Sequence, residues 1–252
     1  MVWFKKSQYF VLLLLAVLVF FSARLTEFDL SKFKDFENMG DFLSKWFPMN
    51  TQNLPYLFQE SLLTIAVAFL GSLFGLMIAL PVSFLAAKNT AGYTYLYTII
   101  RFFLSFLRSV PEFVFGLILL TTLGLGPFPA VIAIVLHNIG VLGKLIAELI
   151  EAADKGPMEA MSAVGTTRWI GNVFGILPQI WPNVLSQFFY RFEVAIRTSL
   201  ILGLIGGGGI GQQLFIHFKT FQYQLVSVDV MLIMIIVILV DFTGGKIREK
   251  VI

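Results

Sequence analysis

The residues in this sequence with the means to do chemistry stand inside long apolar runs. Arg101, Ser105, Arg108 and Glu112 recur at helical spacing on one face, just where Pro111 should kink the helix. His137, Lys144, Glu148 and Glu151 share a face of a later run, and Asn183, Gln187, Tyr190, Glu193 and Arg197 form a stripe along another. A charge at the middle of a bilayer costs about 2.5–3.5 kcal/mol on insertion scales, so these faces should turn towards protein or a wet cavity. Two readings stay open for each acid–base pair. Arg108 with Glu112, and Glu193 with Arg197, stand four residues apart, so each pair either locks helices together or lines a path. In the second reading Arg197, with Arg191 in support, counters an anionic solute in passing. Half-neutralised by Glu193, it would hold that solute weakly.

Bond-making chemistry finds little footing. There is no Cys, hence no disulfide framework and no thiolate metal site. His137 and His217 lie far apart and form no H-x-x-x-H ligand pair. His137, with Asn138 beside it, reads as a satisfied core histidine rather than a pH sensor. Gly206, Gly207, Gly208, Gly209 and Gly211 spell out a formal G-x-G-x-x-G, but no strand and no βαβ unit accompany it. The run reads instead as an outer gate turn, or as backbone able to present N–H groups to an oxyanion. No Walker A lysine occurs, so any ATP must be hydrolysed by another chain.

One long polar stretch, Glu151 to Pro178, interrupts the second half of the chain. Gly156-Pro157 ends the preceding helix and pre-sets the first turn of a new one. Met158, Met161, Ser162 and Gly165 then fall on one face of a short helix, with Glu159 and Arg168 at its flanks. A methionine-bearing face with small neighbours suits docking into a groove on another protein; a helix lying on the membrane surface is the other reading.

The elements that must hold these residues are membrane spans. The chain is 58% hydrophobic and 13% charged, against about 25% charged in soluble domains. Its apolar runs are continuous rather than alternating, which means helices and not a barrel. The net charge of +3 reflects a positive-inside bias rather than nucleic-acid binding. Lys5 and Lys6 precede an uncharged run to Ala23; with a cut at Ala23, Phe21 would occupy the position three before it, where a signal peptide needs a small residue, so the run is expected to be a retained first span. Phe33, Phe36, Leu43, Trp46 and Phe47, near helical spacing, suggest an outer amphipathic helix. Further spans are expected over 61–87, with Gly71 and Gly75 permitting close helix contact, and over about 95–123, 130–150, 177–205 and 225–245. Lys88, Lys155, Arg168, Lys246, Arg248 and Lys250 all fall on one side, the cytoplasmic one. The expectation is an all-α integral membrane protein of six transmembrane helices with both termini cytoplasmic. Residues 1–56 hold the first span and the outer segment, and 57–252 hold the five-span core with the loop 151–178.

Glu159-Ala160, then Gly165, then Leu177-Pro178 resembles the EAA…G…LP loop of the permease subunits of ABC importers. Met161 replaces the usual second Ala and Gly175 the usual Ile. Both departures are similar to the phosphonate branch of that family. So are Arg108-Ser-Val-Pro111-Glu112, His137-Asn-Ile-Gly140 and the run from Tyr190 through Arg197 to Gln213. The resemblance covers roughly 57–245 and implies a type I ABC importer permease-like bundle in the bacterial inner membrane, working by alternating access. Glu159, Ala160, Met161, Gly165, Arg168, Leu177 and Pro178 would form the loop that couples to the ATPase. Tyr190, Glu193, Arg197, Arg108, Glu112 and His137 would line the translocation path. The implied partners are a second copy of the chain, two cytosolic ATPase subunits holding ATP and Mg²⁺, an extracytoplasmic solute-binding protein and the lipid bilayer; no nucleic acid is expected. The expected cargo is phosphonate or a related phosphorus oxyanion such as phosphate or phosphite. An ion-coupled secondary transporter or channel, using the intramembrane charges directly, is the alternative. An intramembrane enzyme would need a dyad, and no Ser or Asp stands in register with His137.

Overall fold

The computed structural model describes residues 6–31 and 36–251. Lys5 and Phe33, which the sequence singles out, lie outside them. The chain separates into two compact units, Met1–Lys45 and Trp46–Ile252. In the first, α1 (Lys6–Leu25) is apolar all round and α2 (Phe36–Ser44) is a short helix. Between them Ser31 donates its hydroxyl (2.7 Å) and its N–H (2.8 Å) to the Asp29 carboxylate. Those two bonds hold the Asp29 carboxyl below its ordinary value.

The second unit is built on α3 (Leu54–Ala86) and α6 (Pro127–Ala152). A Cβ on Gly71 would come within 2.6 Å of Ile134, and one on Gly75 within 2.6 Å of Asn138. The two bare positions are therefore what lets these helices meet, as the G-x-x-x-G spacing predicts. α4 (Thr94–Ser109) packs on α6 in the same manner: a Cβ on Gly140 would stand 2.6 Å from the Arg108 amide nitrogen. α9 (Leu177–Leu202) and α11 (Tyr223–Val251) complete a core in which Leu104, Ile134, Leu142, Ile146, Ile196 and Leu202 are fully buried.

Two spans are broken. Val110 is extended (φ −83°, ψ 122°), and α4 and α5 (Glu112–Leu123) diverge by 85° across it. The cause is Pro111, which lacks an N–H and drives the residue before it out of the helical region. The expected kink is thus a full break. The second break follows α9, where a π-helical turn, Gly203–Gly207, leads at 56° into α10 (Gly209–Lys219). Among the described residues four helices are long and apolar enough to cross a membrane, and six spans result if each bent pair counts as one.

Candidate functional site

The polar loop folds as the short helix α7 (Gly156–Ala163), then α8 (Arg168–Gly171) and a π-helical turn, Asn172–Ile176, that runs on into α9. Gly165 ends α7 at φ +77°, a backbone conformation costly for any residue with a Cβ. Its N–H donates to the Ser162 carbonyl (3.0 Å), and the Thr166 N–H donates to the Met161 carbonyl (3.2 Å). Gln179 clasps the entry to α7. Its Oε1 accepts the Asp154 N–H at 3.1 Å, and its Nε2 donates to the Asp154 carbonyl at 3.2 Å. Gly175 completes the seat, because a Cβ there would press to 3.3 Å on the backbone of Met158.

That seat turns the two methionines of the expected docking face towards the core, while Ser162 and Gly165 of the same face stay exposed. Met158 packs against the buried cluster around Ile176 and Ile180, and Met161 is half-buried. The surface α7 leaves open includes Glu159, Ala160, Ser162 and Ala163, with Val164, Gly165, Arg168 and Pro178 also exposed and Leu177 packed on the core. Trp169 sits edge-on to Phe84 (ring centroids 6.3 Å apart) yet remains 60% exposed. A groove of about 360 Å³ runs beside the helix, bounded by Asn89, Asp154, Lys155, Met158, Glu159 and Ser162.

Arg101 ties α4 to the end of α6 that leads into α7. Its Nη1 donates to Glu151 Oε1 and to the Tyr97 hydroxyl, both at 2.8 Å, and Glu148 lies 4.0 Å away. The same Glu151 oxygen accepts the Lys88 N–H at 2.9 Å.

The helix break takes Glu112 off the face that carries Arg108, so the pair read from their spacing does not form. Glu112 Oε1 instead accepts from Arg191 Nη2 of α9 at 2.7 Å, with both side chains about nine-tenths buried (9% and 10% exposed). Arg191 Nε donates to Asn138 Oδ1 at 2.8 Å. The Nδ1–H of His137 donates to the Val110 carbonyl at 3.1 Å, which fixes the ring against the broken backbone. Its Nε2 stands 3.5 Å from Glu112, too long for a charge-assisted bond of about 2.7–2.9 Å. Arg191 is therefore the strong partner. Arg108 itself is exposed, and it makes no ion pair or side-chain hydrogen bond among the described residues.

Further along α9, Arg197 Nη2 reaches Glu193 Oε1 at 3.1 Å, the expected pair, and both carboxylate oxygens of Asp241 at 3.2 Å. Glu193 Oε2 accepts from Arg248 Nη1 at 3.1 Å. Tyr190 and Arg197 face out of the unit, each about half exposed. Asp241 was not picked out from the sequence, nor was Asp229, which is fully buried with His217 Nδ1 at 2.6 Å. An acid in the otherwise apolar last span was the available signal for both.

The glycine run is packed rather than open. A Cβ on Gly211 would strike the Leu200 carbonyl, and one on Gly209 the Thr64 hydroxyl. Two of its N–H groups have side-chain acceptors: Gly208 donates to Gln212 Oε1 and Ile210 to Thr64 Oγ1, both at 3.0 Å. The Gly206 carbonyl accepts the Gly126 N–H at 2.9 Å, linking the break to the turn between α5 and α6.

Residues 71–245 match the family described as binding-protein-dependent transport system inner membrane component. A putative phosphite transport system permease protein of Stutzerimonas stutzeri is 31% identical over 210 residues, 83% of this chain and 74% of that protein. A phosphite transport system permease protein of the same organism is 37% identical over 186 residues, 74% and 68% of the two chains. Among solved structures, a chain of the MetNI methionine ABC transporter in an inward-facing conformation superposes with a TM-score of 0.69, covering 81% of this chain and 100% of that one. At 21% identity that likeness speaks to the fold.

Proposed function

This chain belongs to the binding-protein-dependent transport system inner membrane components, and on that premise we propose that it is the permease of an ATP-driven importer for phosphite or a related phosphorus oxyanion, phosphate or a phosphonate. It is a multi-pass inner membrane protein and not itself an enzyme; the ATPase is a separate subunit. Six spans, with both broken pairs crossing and both termini in the cytoplasm, accord with the side-by-side placement of its basic residues. Two copies would form the path and two ATPases would drive it, each gripping the loop 151–178 through Glu159, Ala160, Met161, Gly165 and Arg168, with Leu177 and Pro178 at its base.

The observation that carries this reading is the seating of α7. Gln179 and Gly175 fix the loop helix to the start of α9, and Glu151 with Arg101 fixes the end of α6 to α4. A pull on α7 is thereby delivered to three spans as a rigid-body displacement, which is what alternating access requires. Tyr190 and Arg197 would face the path, Glu193 would support them, and Glu112 with His137 would hold the broken span in register beside Arg108. Gly206, Gly207, Gly208, Gly209 and Gly211 would act as an outer gate that moves as a packed joint.

The test is uptake into proteoliposomes holding the permease, its ATPase and its binding protein. Wild type should accumulate phosphite or phosphate only with ATP. Gly165→Asp, which places a Cβ and a charge at φ +77° in the exposed loop, should lose ATPase co-purification and uptake together. ATP-independent uptake by vesicles lacking the ATPase would identify an ion-coupled transporter instead.

A further inference from the structure

The turn between α10 and α11 carries an aromatic side chain where local rules call for none. α10 closes with two backbone bonds: the Gln222 N–H donates to the His217 carbonyl at 2.9 Å and the Phe221 N–H to the Phe218 carbonyl at 3.2 Å. That pattern needs a left-handed residue where Phe221 stands, usually glycine. Phe221 adopts φ +59°, a costly conformation for a bulky side chain, and it is 75% exposed. Strain of this kind persists only where the surroundings fix it, and it marks places with a task. Behind the turn, His217 Nδ1 and the buried Asp229 Oδ2, 2.6 Å apart, clamp α10 to α11. The Asn50 N–H also holds the Gln224 carbonyl at 3.2 Å.

Phe221 belongs to a larger apolar surface. Its ring and that of Phe218 each stand edge-on to Tyr223, with centroids 6.2 Å apart. Phe215, Ile216 and Phe218 are exposed along α10, and α11 exposes Met231, Met234, Ile235 and Ile238. Lys219 lays its ammonium 5.4 Å from the Phe215 ring centre and, among the described residues, pairs with no carboxylate. Tyr223 opens the span Tyr223–Glu249. Its 27 residues rise about 40 Å, against about 30 Å of hydrocarbon. Lys246 and Arg248 mark the opposite end, so the turn stands at the level of the lipid headgroups.

We propose that this turn is a membrane anchor: Phe218 and Phe221 enter the headgroup–acyl boundary of the outer leaflet, and Lys219 meets a lipid phosphate. Calling the leaflet outer rests on the topology proposed above; the lipid contact does not. Lipid fits this surface better than a binding protein does. The surface continues into the exposed apolar side of a span, and its one charge is a cation lying along aromatic rings, as an interfacial basic residue does.

The chain contains no Cys, so a nitroxide on Phe221→Cys reports a single position. The permease–ATPase complex is reconstituted in vesicles of phosphatidylethanolamine and phosphatidylglycerol. Relaxation of the label by oxygen, which concentrates in the bilayer, is compared with relaxation by a water-soluble nickel chelate. Ile238→Cys gives the bilayer reference and the unattached label in buffer the aqueous one; co-purification of the ATPase reports that each variant folds. The oxygen-to-nickel ratio at position 221 should exceed the aqueous value several-fold and approach that at 238, with Phe218→Cys giving the same result. Aqueous ratios at both positions overturn the anchor. So does strong immobilisation of the label when the binding protein is added, which would make the turn a protein contact. Lys219→Glu should lower the ratio at 221 by setting a carboxylate against the lipid phosphates; an unchanged ratio removes the lysine–phosphate contact. These depths are read without any cargo, so they stand or fall separately from the uptake that tests the importer reading.

Discussion

Two glutamate–arginine pairs, Glu112–Arg191 and Glu193–Arg197, look alike in composition and differ in almost everything physical. The first joins residues 79 apart in sequence at 2.7 Å, with both side chains about 10% exposed. The second is a local i,i+4 pair at 3.1 Å whose arginine is 50% exposed and shared with Asp241. In the first, each charge has lost its water and depends on its partner. In the second, Arg197 holds Asp241 as well as Glu193, and Glu193 holds Arg248 as well as Arg197, so loss of Arg197 leaves Glu193 a partner. The first pair therefore belongs to the architecture, pinning α5 beyond its break to α9, and the second has freedom to move.

Breaking the buried pair from one side should give the largest effect. Glu112→Gln leaves the Arg191 guanidinium buried without its counter-charge, which costs about 3–5 kcal/mol. In detergent the variant should melt far below wild type or fail to accumulate. Replacing both partners, Glu112→Leu with Arg191→Leu, should recover much of that stability, because two desolvated charges are removed together. If the single and the double variant melt alike, the pair is not closed in the sense argued. Asn138→Ala tests the other half of the same lock. It removes the oxygen that accepts from Arg191 Nε at 2.8 Å, and a hydrogen bond to a charged group is worth about 1.5–3 kcal/mol. A smaller but clear drop in melting temperature is expected, lying between wild type and Glu112→Gln.

The contrast also marks what could be read from the sequence. Glu193–Arg197 was legible because both residues share one helix, where a four-residue spacing sets the geometry. Arg108–Glu112 has the same spacing and failed, since Pro111 ended the helix between them and Val110 turned Glu112 towards α9. A proline signals a disturbance in a helix, but the angle depends on what the two pieces pack against. The partner Arg191 could not be found by spacing, because it comes from a span beyond the polar loop. That loop shows the same limit: its short helix and its terminal Gly165 follow from local rules, whereas the inward turn of Met158 depends on a bare Gly175 in the π-helical turn that leads into α9. Family membership was legible in the loop motif, and the four apolar helices were legible by length. His217 passed for a lone histidine because its acid, Asp229, belongs to another helix.

The exposed pair supplies the smallest stability effect and the more selective functional one. Arg197→Ala should cost no more than about 1 kcal/mol, since exposed ion pairs contribute little and Glu193 keeps Arg248. Salt sharpens the comparison: raising ionic strength from low to 1 M shortens the Debye length to about 3 Å, which should erase the Arg197→Ala deficit and leave that of Glu112→Gln nearly intact. Transport responds differently. With Arg197 gone, Asp241 keeps its charge on the face that α9 and α11 turn outwards, where α9 also presents Tyr190. That added negative charge should repel an anion and lower solute flux, while the ATPase, which binds the distant α7, still co-purifies. Arg197→Ala combined with Asp241→Asn should restore flux towards wild type if repulsion is the cause. Undiminished flux in Arg197→Ala would remove this face from the path and leave the pair a local brace between α9 and α11.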